Sequence, residues 1–274
     1  MDYCELHLRY PGFKTRAVTL SYDDGAGADR RMVETLNRYG MKCTFNLNPG
    51  SMKLDPNYVQ LPELAELYYG HEIAAHGFTH PHLHNLDLGG VAYQIVKCRE
   101  QLETASGKIV QGFAYPYGLV EMPGLVQCIE NCGIRYARVG GSTGKFELPT
   151  DFMRWNPTCH HADPKLADLA RVFLTPDDLS RPGRIRPLLM YVWGHSYEFN
   201  NKWERLEEVC QLLGGREEVW YVTNGELIDY LLAFRALRRS ANGQIVHNPT
   251  DIDIYVRAAG KDILLPKGET VIIE

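Results

Sequence analysis

The 274-residue chain contains no run of eighteen or more apolar residues, so nothing in it reads as a transmembrane helix. Its start, Met-Asp-Tyr-Cys-Glu-Leu-His, has neither a basic segment nor an apolar one, and no secretory signal is expected. Positive charge is not in excess: 29 Lys and Arg against 34 Asp and Glu give a net charge of −5. That balance argues against a nucleic-acid backbone as partner, because phosphate binding favours a basic surface. The seven cysteines are odd in number and follow no framework spacing, so reduced thiols and a cytoplasmic protein are the expectation. Internal repeats and low-complexity stretches are missing, which excludes solenoids and disordered tails. What remains is ordinary globular composition, 45% apolar and 23% charged, in a chain long enough for a substantial core.

Short apolar runs alternate with helical patterns through the first half. Residues 17–22 (AVTLSY), 42–47, 71–75, 111–115 and 134–139 read as strands. Residues 28–39, 61–69, 88–104 and 124–132 read as the helices between them. After a stretch rich in Gly, Pro and Thr over 140–161, expected to be a functional loop, order resumes: helix 166–174, strand 188–192, helix 202–213, strand 219–222, helix 226–237. Strands separated by helices of ten or more residues pair in parallel. The expected fold class is α/β, a distorted (β/α) barrel of about seven parallel strands. Two regions are expected: a barrel over 1–240 and a small antiparallel β appendage over 241–274, where short alternating segments replace the βα rhythm.

In such barrels chemistry gathers at strand C-termini. The first strand ends in Tyr22-Asp23-Asp24-Gly25, two adjacent carboxylates before a turn residue. Asp and Gly also favour plain turns and helix caps. The third strand ends in His76-Gly-Phe-Thr-His80, two histidines whose spacing brings both imidazoles to one side of a helical turn. Two His and one carboxylate make a three-ligand site with an open position, the pattern of a catalytic metal, and the second carboxylate is left free as a base. Phe113-Ala-Tyr-Pro-Tyr-Gly118 and Trp193-Gly-His195-Ser196 close two further strands, His195 being a candidate acid. Tyr22, Tyr115, Tyr117, Trp193 and Tyr197 crowd these ends, either as core or as faces for sugar rings. His82 and His84 read as loop residues. Cys159-His160-His161 lacks the partner spacing of a second metal site, so His160 or His161 is expected to line the cleft. Cys128 and Cys132, one helical turn apart, read as packing residues.

These motifs, in this order over residues 17–233, resemble the polysaccharide deacetylase family (NodB homology, carbohydrate esterase family 4). The resemblance implies a metal-dependent hydrolase acting on the N-acetyl or O-acetyl groups of a carbohydrate or another acylated small molecule. It implies one divalent ion, Zn²⁺ first and Co²⁺, Ni²⁺ or Mn²⁺ as substitutes. Carried over residue by residue, it makes Asp23 the base and Asp24, His76 and His80 the metal ligands. Tyr117 becomes the backbone donor to the oxyanion and His195 the general acid. Trp155 becomes the wall of the acetate pocket, and Tyr115 and Trp193 line the substrate site. The sequence departs from the family twice. The third motif usually carries an Arg that pairs with the base, and here that position is Ala114; the fourth usually carries an Asp, and here it is Arg154. The expectation is therefore that Arg154 reaches Asp23 from across the cleft, at about 2.7–2.9 Å for a charge-assisted bond. The rival readings are a noncatalytic carbohydrate-binding relative, favoured by the missing Arg, and a hydrolase of a non-sugar amide on the same scaffold.

Overall fold

The computed structural model describes residues 4–178 and 185–274. The strands of the central sheet are β2 (Arg16–Asp23), β3 (Cys43–Leu47), β4 (Glu72–Ala75), β5 (Gly112–Ala114), β6 (Tyr136–Arg138), β7 (Cys159–His160), β8 (Leu188–His195) and β9 (Val219–Tyr221). A short strand, β1 (His7–Arg9), precedes them. Helices α1 (Asp29–Arg38), α2 (Pro49–Met52), α3 (Leu64–Leu67), α4 (Leu88–Ser106), α5 (Leu125–Asn131), α6 (Leu166–Phe173), α7 (Glu204–Leu213) and α8 (Asn224–Arg235) fill the connections. Seven strands follow one path, β6-β5-β4-β3-β2-β8-β7, and β9 pairs with the first half of β2 off that path. Every pairing in this sheet is parallel. The expected barrel of about seven parallel strands is what the chain forms.

β2 is buried at all eight residues, as a strand covered on both faces must be. Its helical cover is amphipathic: α1 buries Asp29, Met32, Val33 and Leu36, the spacing of one helical face. α8 enters the barrel floor N-terminus first. Its buried Asn224 bonds Thr19 and Tyr191, and its Gly225 N–H donates to the half-buried Glu72 carboxylate at 2.8 Å.

The 140–161 stretch differs from a plain loop. Trp155 N–H donates to Ala137 at one edge of the sheet, while Thr158 and His161 N–H donate to Tyr191 and Trp193 at the other. An extended strap thus spans the two sheet edges. The domain boundary expected at 240 is also corrected. β10 (Arg238–Arg239) and β11 (Ile245–His247) pair across it, with β14 (Thr270–Ile272) beyond. The second small sheet joins β12 (Ile254–Ala258) and β13 (Lys261–Leu265) to β1 from the chain's start. Tyr230 on α8 stitches that sheet to the barrel, donating to Arg9 C=O at 2.6 Å and accepting from Tyr255 N–H.

Candidate active site

The register of the sheet decides which strand ends meet. Asp23, the last residue of β2, lies opposite Asn46 on one side and His195 on the other. Asp23 is almost fully buried, and its carboxylate is gripped at both oxygens. Asn46 Nδ2 donates to one at 2.8 Å, and the Arg138 guanidinium, from the end of β6, pairs with the other. Burial pushes the Asp23 carboxyl up, but Arg138, His76 and His195 outweigh it and hold its pKa below the usual range.

The next residue leaves the strand. Asp24 has φ +80° and Gly25 +71°, so the chain turns sharply and swings the second carboxylate to another quarter of the site. Asp24 Oδ1 lies 3.7 Å from His76 Nε2 and 3.8 Å from His80 Nε2, and the two imidazole nitrogens are 3.1 Å apart. Metal–ligand bonds of about 2.0–2.1 Å put tetrahedral donors ~3.3–3.4 Å apart, so this triangle fits one divalent ion. His76 Nδ1 lies 2.8 Å from Ala114 C=O; donation there leaves Nε2 free as ligand. The histidine pair is not on a helical turn, as its spacing suggested. An irregular loop joins the two, with Gly77 at φ +76° and His80 at +53°. Positive φ at Asp24, His80 and Tyr117 is strain concentrated around one centre.

His195 closes the site. Its Nε2 is 3.9 Å from both Asp23 and Asp24, and its Nδ1 is 3.2 Å from Glu198. Burial alone would lower the His195 pKa; the nearby carboxylates of Glu198, Asp23 and Asp24 outweigh it and raise it. Glu198 Oε2 also lies 3.0 Å from His160 Nε2 and 3.5 Å from His161 Nε2, and accepts the His195 N–H at 2.9 Å. Burial pushes its carboxyl up, but these donors hold it far below the ordinary range. The same three residues satisfy a distance test for a metal. The hydrogen bonding excludes that use. His160 Nδ1 accepts from Ala162 N–H at 3.1 Å, so a neutral His160 carries its proton on Nε2 and donates it to Glu198.

Three expected residues need correction. Arg154 does not reach Asp23: it is exposed and pairs with Asp151 at 3.0 Å, three residues back in its own turn. Arg138 takes the position that Arg154 was expected to fill. Trp155 does not wall an open pocket. It is 2% exposed and packs against Tyr136 and Tyr191, because the strap turns it into the core. Tyr115 is likewise buried, its hydroxyl spent on Met153 C=O at 3.0 Å. The Tyr117 side chain is half exposed beside His80 and stacks on His82, with ring centroids 3.6 Å apart. Trp193 stays at the site, its indole 4.6 Å over the Arg138 guanidinium and its Nε1 on Gly141 C=O. Cys128 and Cys132 pack at the core margin as free thiols. Sequence reasoning missed Arg138, Glu198, Asn46 and Asn48, whose Nδ2 donates to Asp24 Oδ1 at 3.0 Å. Arg138 had a signal: a lone charge inside the apolar run Tyr-Ala-Arg-Val.

The family model described as polysaccharide deacetylase matches residues 11–137. Over that segment, a little under half of its length, the chain is similar to the polysaccharide deacetylase family. The matched segment carries Asp23, Asp24, His76, His80 and Tyr117, and ends one residue before Arg138. The chain is 29% identical over 113 residues to the peptidoglycan-N-acetylglucosamine deacetylase PgdA of Listeria monocytogenes, covering 40% of this chain and 23% of that protein. It is 27% identical over 168 residues to a peptidoglycan-N-acetylglucosamine deacetylase of Bacillus cereus, covering 61% and 58%. The chain thus spans about a quarter and just over half of these relatives' lengths. A solved structure from Mycobacterium smegmatis, described as a polysaccharide deacetylase, has the same fold as this chain, with TM-score 0.59, 17% identity, and 86% and 96% of the two chains covered.

Proposed function

We propose that this chain is a metal-dependent hydrolase that removes N-acetyl groups, or O-acetyl groups, from a carbohydrate. One observation carries the reading: a buried base carboxylate, locked by Arg138 and Asn46, stands beside a separate Asp–His–His triangle of metal-ligand dimensions. The two named relatives act on N-acetylglucosamine in peptidoglycan, which supports the amide of an acetylated aminosugar as first substrate.

Asp24, His76 and His80 would hold the divalent ion, zinc first, which when bound supplies Lewis-acid activation of an acyl group and of water. Asp23, ionised and held at both oxygens, accepts the proton of the attacking water. The Tyr117 backbone N–H donates to the developing oxyanion, a type of donor whose loss costs about 10²–10³ in rate. His195, braced by Glu198 at Nδ1, delivers a proton from Nε2 to the departing nitrogen or oxygen. The noncatalytic reading rested on the missing Arg at position 114, and Arg138 removes that ground.

The test is acetate release by the purified chain from N-acetylglucosamine oligomers, acetylated xylan and a small non-sugar N-acetyl amide. Release from a saccharide that stops with chelator and returns with Zn²⁺, Co²⁺, Ni²⁺ or Mn²⁺ is the expected result. Turnover of the non-sugar amide alone would replace the carbohydrate with that substrate class. No turnover of any of the three by metal-loaded protein would overturn the reading.

A further inference from the structure

Asp29, the first residue of α1, is a fully buried carboxylate that no step of the proposed reaction uses. Burying an acid is costly unless its oxygens are satisfied. Here both are given to hydroxyls. Oδ2 accepts from Tyr68, just past the end of α3, at 2.7 Å, and Oδ1 accepts from Ser196. Burial pushes the carboxyl up to about 7, against the pull of these two hydrogen bonds.

Ser196 stands where the sheet stops holding the acid. The β2–β8 ladder ends at the Asp23–His195 pair, and the next residues, Ser196–Phe199, form a single 3₁₀ turn. That turn carries Glu198, which accepts the His195 backbone N–H at 2.9 Å and lies 3.2 Å from His195 Nδ1. Phe199 secures the far end of the turn, buried and stacked on Tyr22 and His161. Ser196 secures the near end. It is fully buried, and a hydroxyl has one proton to give; Ser196 gives it to Asp29.

Asp29 is joined in turn to the metal-ligand side. Its N–H donates to Ala26 C=O at 2.9 Å, closing the short loop that runs from Asp24 into α1. That loop is itself anchored: Ala26 is bridged to Tyr58, and Gly25 C=O accepts Val59 N–H at 2.9 Å. The Asp29–Ser196 bond therefore ties the arm of chain that bears Asp24 to the arm that bears His195. These arms end with His195 Nε2 3.9 Å from both Asp23 and Asp24.

We propose that Asp29 and Ser196 are a pair of positioning residues, whose hydrogen bond holds the His195–Glu198 turn at its working distance from the metal-ligand loop. The proposal rests on the deacetylase reading for the use made of that distance. Tyr68 bonds the far oxygen of Asp29, so it braces the carboxylate without bonding the turn.

The experiment compares Ser196→Ala with Tyr68→Phe in the metal-loaded chain. Each removes one hydroxyl donor from the same buried carboxylate, so their thermal midpoints fall by similar amounts. In Ser196→Ala, metal content and KM for an N-acetylglucosamine oligomer stay at wild-type values. Its kcat falls at least about tenfold, since a misplacement of about 1 Å can cost ~10²-fold in rate. Amide hydrogen exchange at His195 quickens in the same variant, because Glu198 is no longer held as its acceptor. Tyr68→Phe leaves kcat and that exchange rate near wild type. Ser196→Cys fills the same space with a poor donor and behaves as Ser196→Ala, so the test survives an alanine chain that does not fold. Equal kcat in Ser196→Ala and Tyr68→Phe, or an unchanged exchange rate at His195 in Ser196→Ala, overturns the proposal. If the wild type releases no acetate, the deacetylase reading fails by itself and exchange decides the pair. Quicker exchange at His195 in Ser196→Ala but not in Tyr68→Phe supports it, and any other pattern rejects it.

Discussion

Asp23 takes its orientation from residues on two other strands, and removing either leaves a buried carboxylate short of a partner. Arg138 is 1% exposed and is its charge partner, so Arg138→Ala strands an uncompensated charge. Such losses cost about 3–5 kcal/mol. We expect a large drop in thermal midpoint together with loss of turnover. Arg154→Ala removes only an exposed pair with Asp151 and should stay within about 0.5 kcal/mol of wild type, with turnover intact. Equal effects of the two substitutions would reverse the assignment made here. Asp23→Asn should keep stoichiometric metal and lose most turnover, whereas Asp24→Asn should lose the metal; metal content and acetate release on both variants separate the roles. At His195, burial works against the imidazolium, and the Glu198 carboxylate, 3.2 Å from Nδ1, is the leading influence that holds its pKa above the ordinary value. A raised pKa keeps the acid protonated up to higher pH. Glu198→Gln should therefore move the alkaline limb of the kcat/KM profile to lower pH, and an unmoved limb would show that Glu198 does not tune the acid.

At the scale of elements, the strand ends were legible and the strap was not. Residues 17–22 and 42–47 are apolar runs closed by polar residues, and such runs become buried strands wherever helices cover them. The 140–161 stretch has no periodicity because its backbone bonds two different sheet edges in turn, a nonlocal pattern that leaves no local repeat. That is why Trp155, expected at the pocket, is a core residue. Trp155→Ala should destabilise the chain by about 3–5 kcal/mol, seen in denaturant melts. Helix α1 carries a second element-scale device. Asp29 is fully buried, bonded by Tyr68 at 2.7 Å and by Ser196, and burial pushes its carboxyl up to about 7. A folded pKa above the unfolded one means the native state binds the extra proton, so stability falls as pH rises from about 4 through 7. Asp29→Asn should gain thermal stability over wild type at pH 8 but not at pH 4, by a few degrees, since ~1 kcal/mol moves the midpoint by ~2–4 °C at this size. The same gain at both pH values would show that Asp29 does not titrate in this window.

At the scale of the whole molecule, the two chain ends meet: β1 pairs with β12, and Tyr230 binds both to α8. Nothing local in His-Leu-Arg announces a partner some 250 residues away, so the boundary expected at 240 fell inside the β10–β11 pair. The sequence by itself determined the parallel α/β class, the strand ends that carry chemistry, the two carboxylates and the histidine pair. Those signals are local: apolar period, turn residues, and reactive side chains set side by side in the chain. It also carried the resemblance to the polysaccharide deacetylase family, because those residues stand in one order. Only the tertiary structure decided what partners them. Asp23 meets Arg138 across 115 residues because β2 and β6 end at the same mouth of the barrel. Glu198 lies three residues from His195, but its other two donors, His160 and His161, come from the strap. Charge compensation inside a protein depends on distance in space, and the curl of the sheet sets that distance where sequence separation does not.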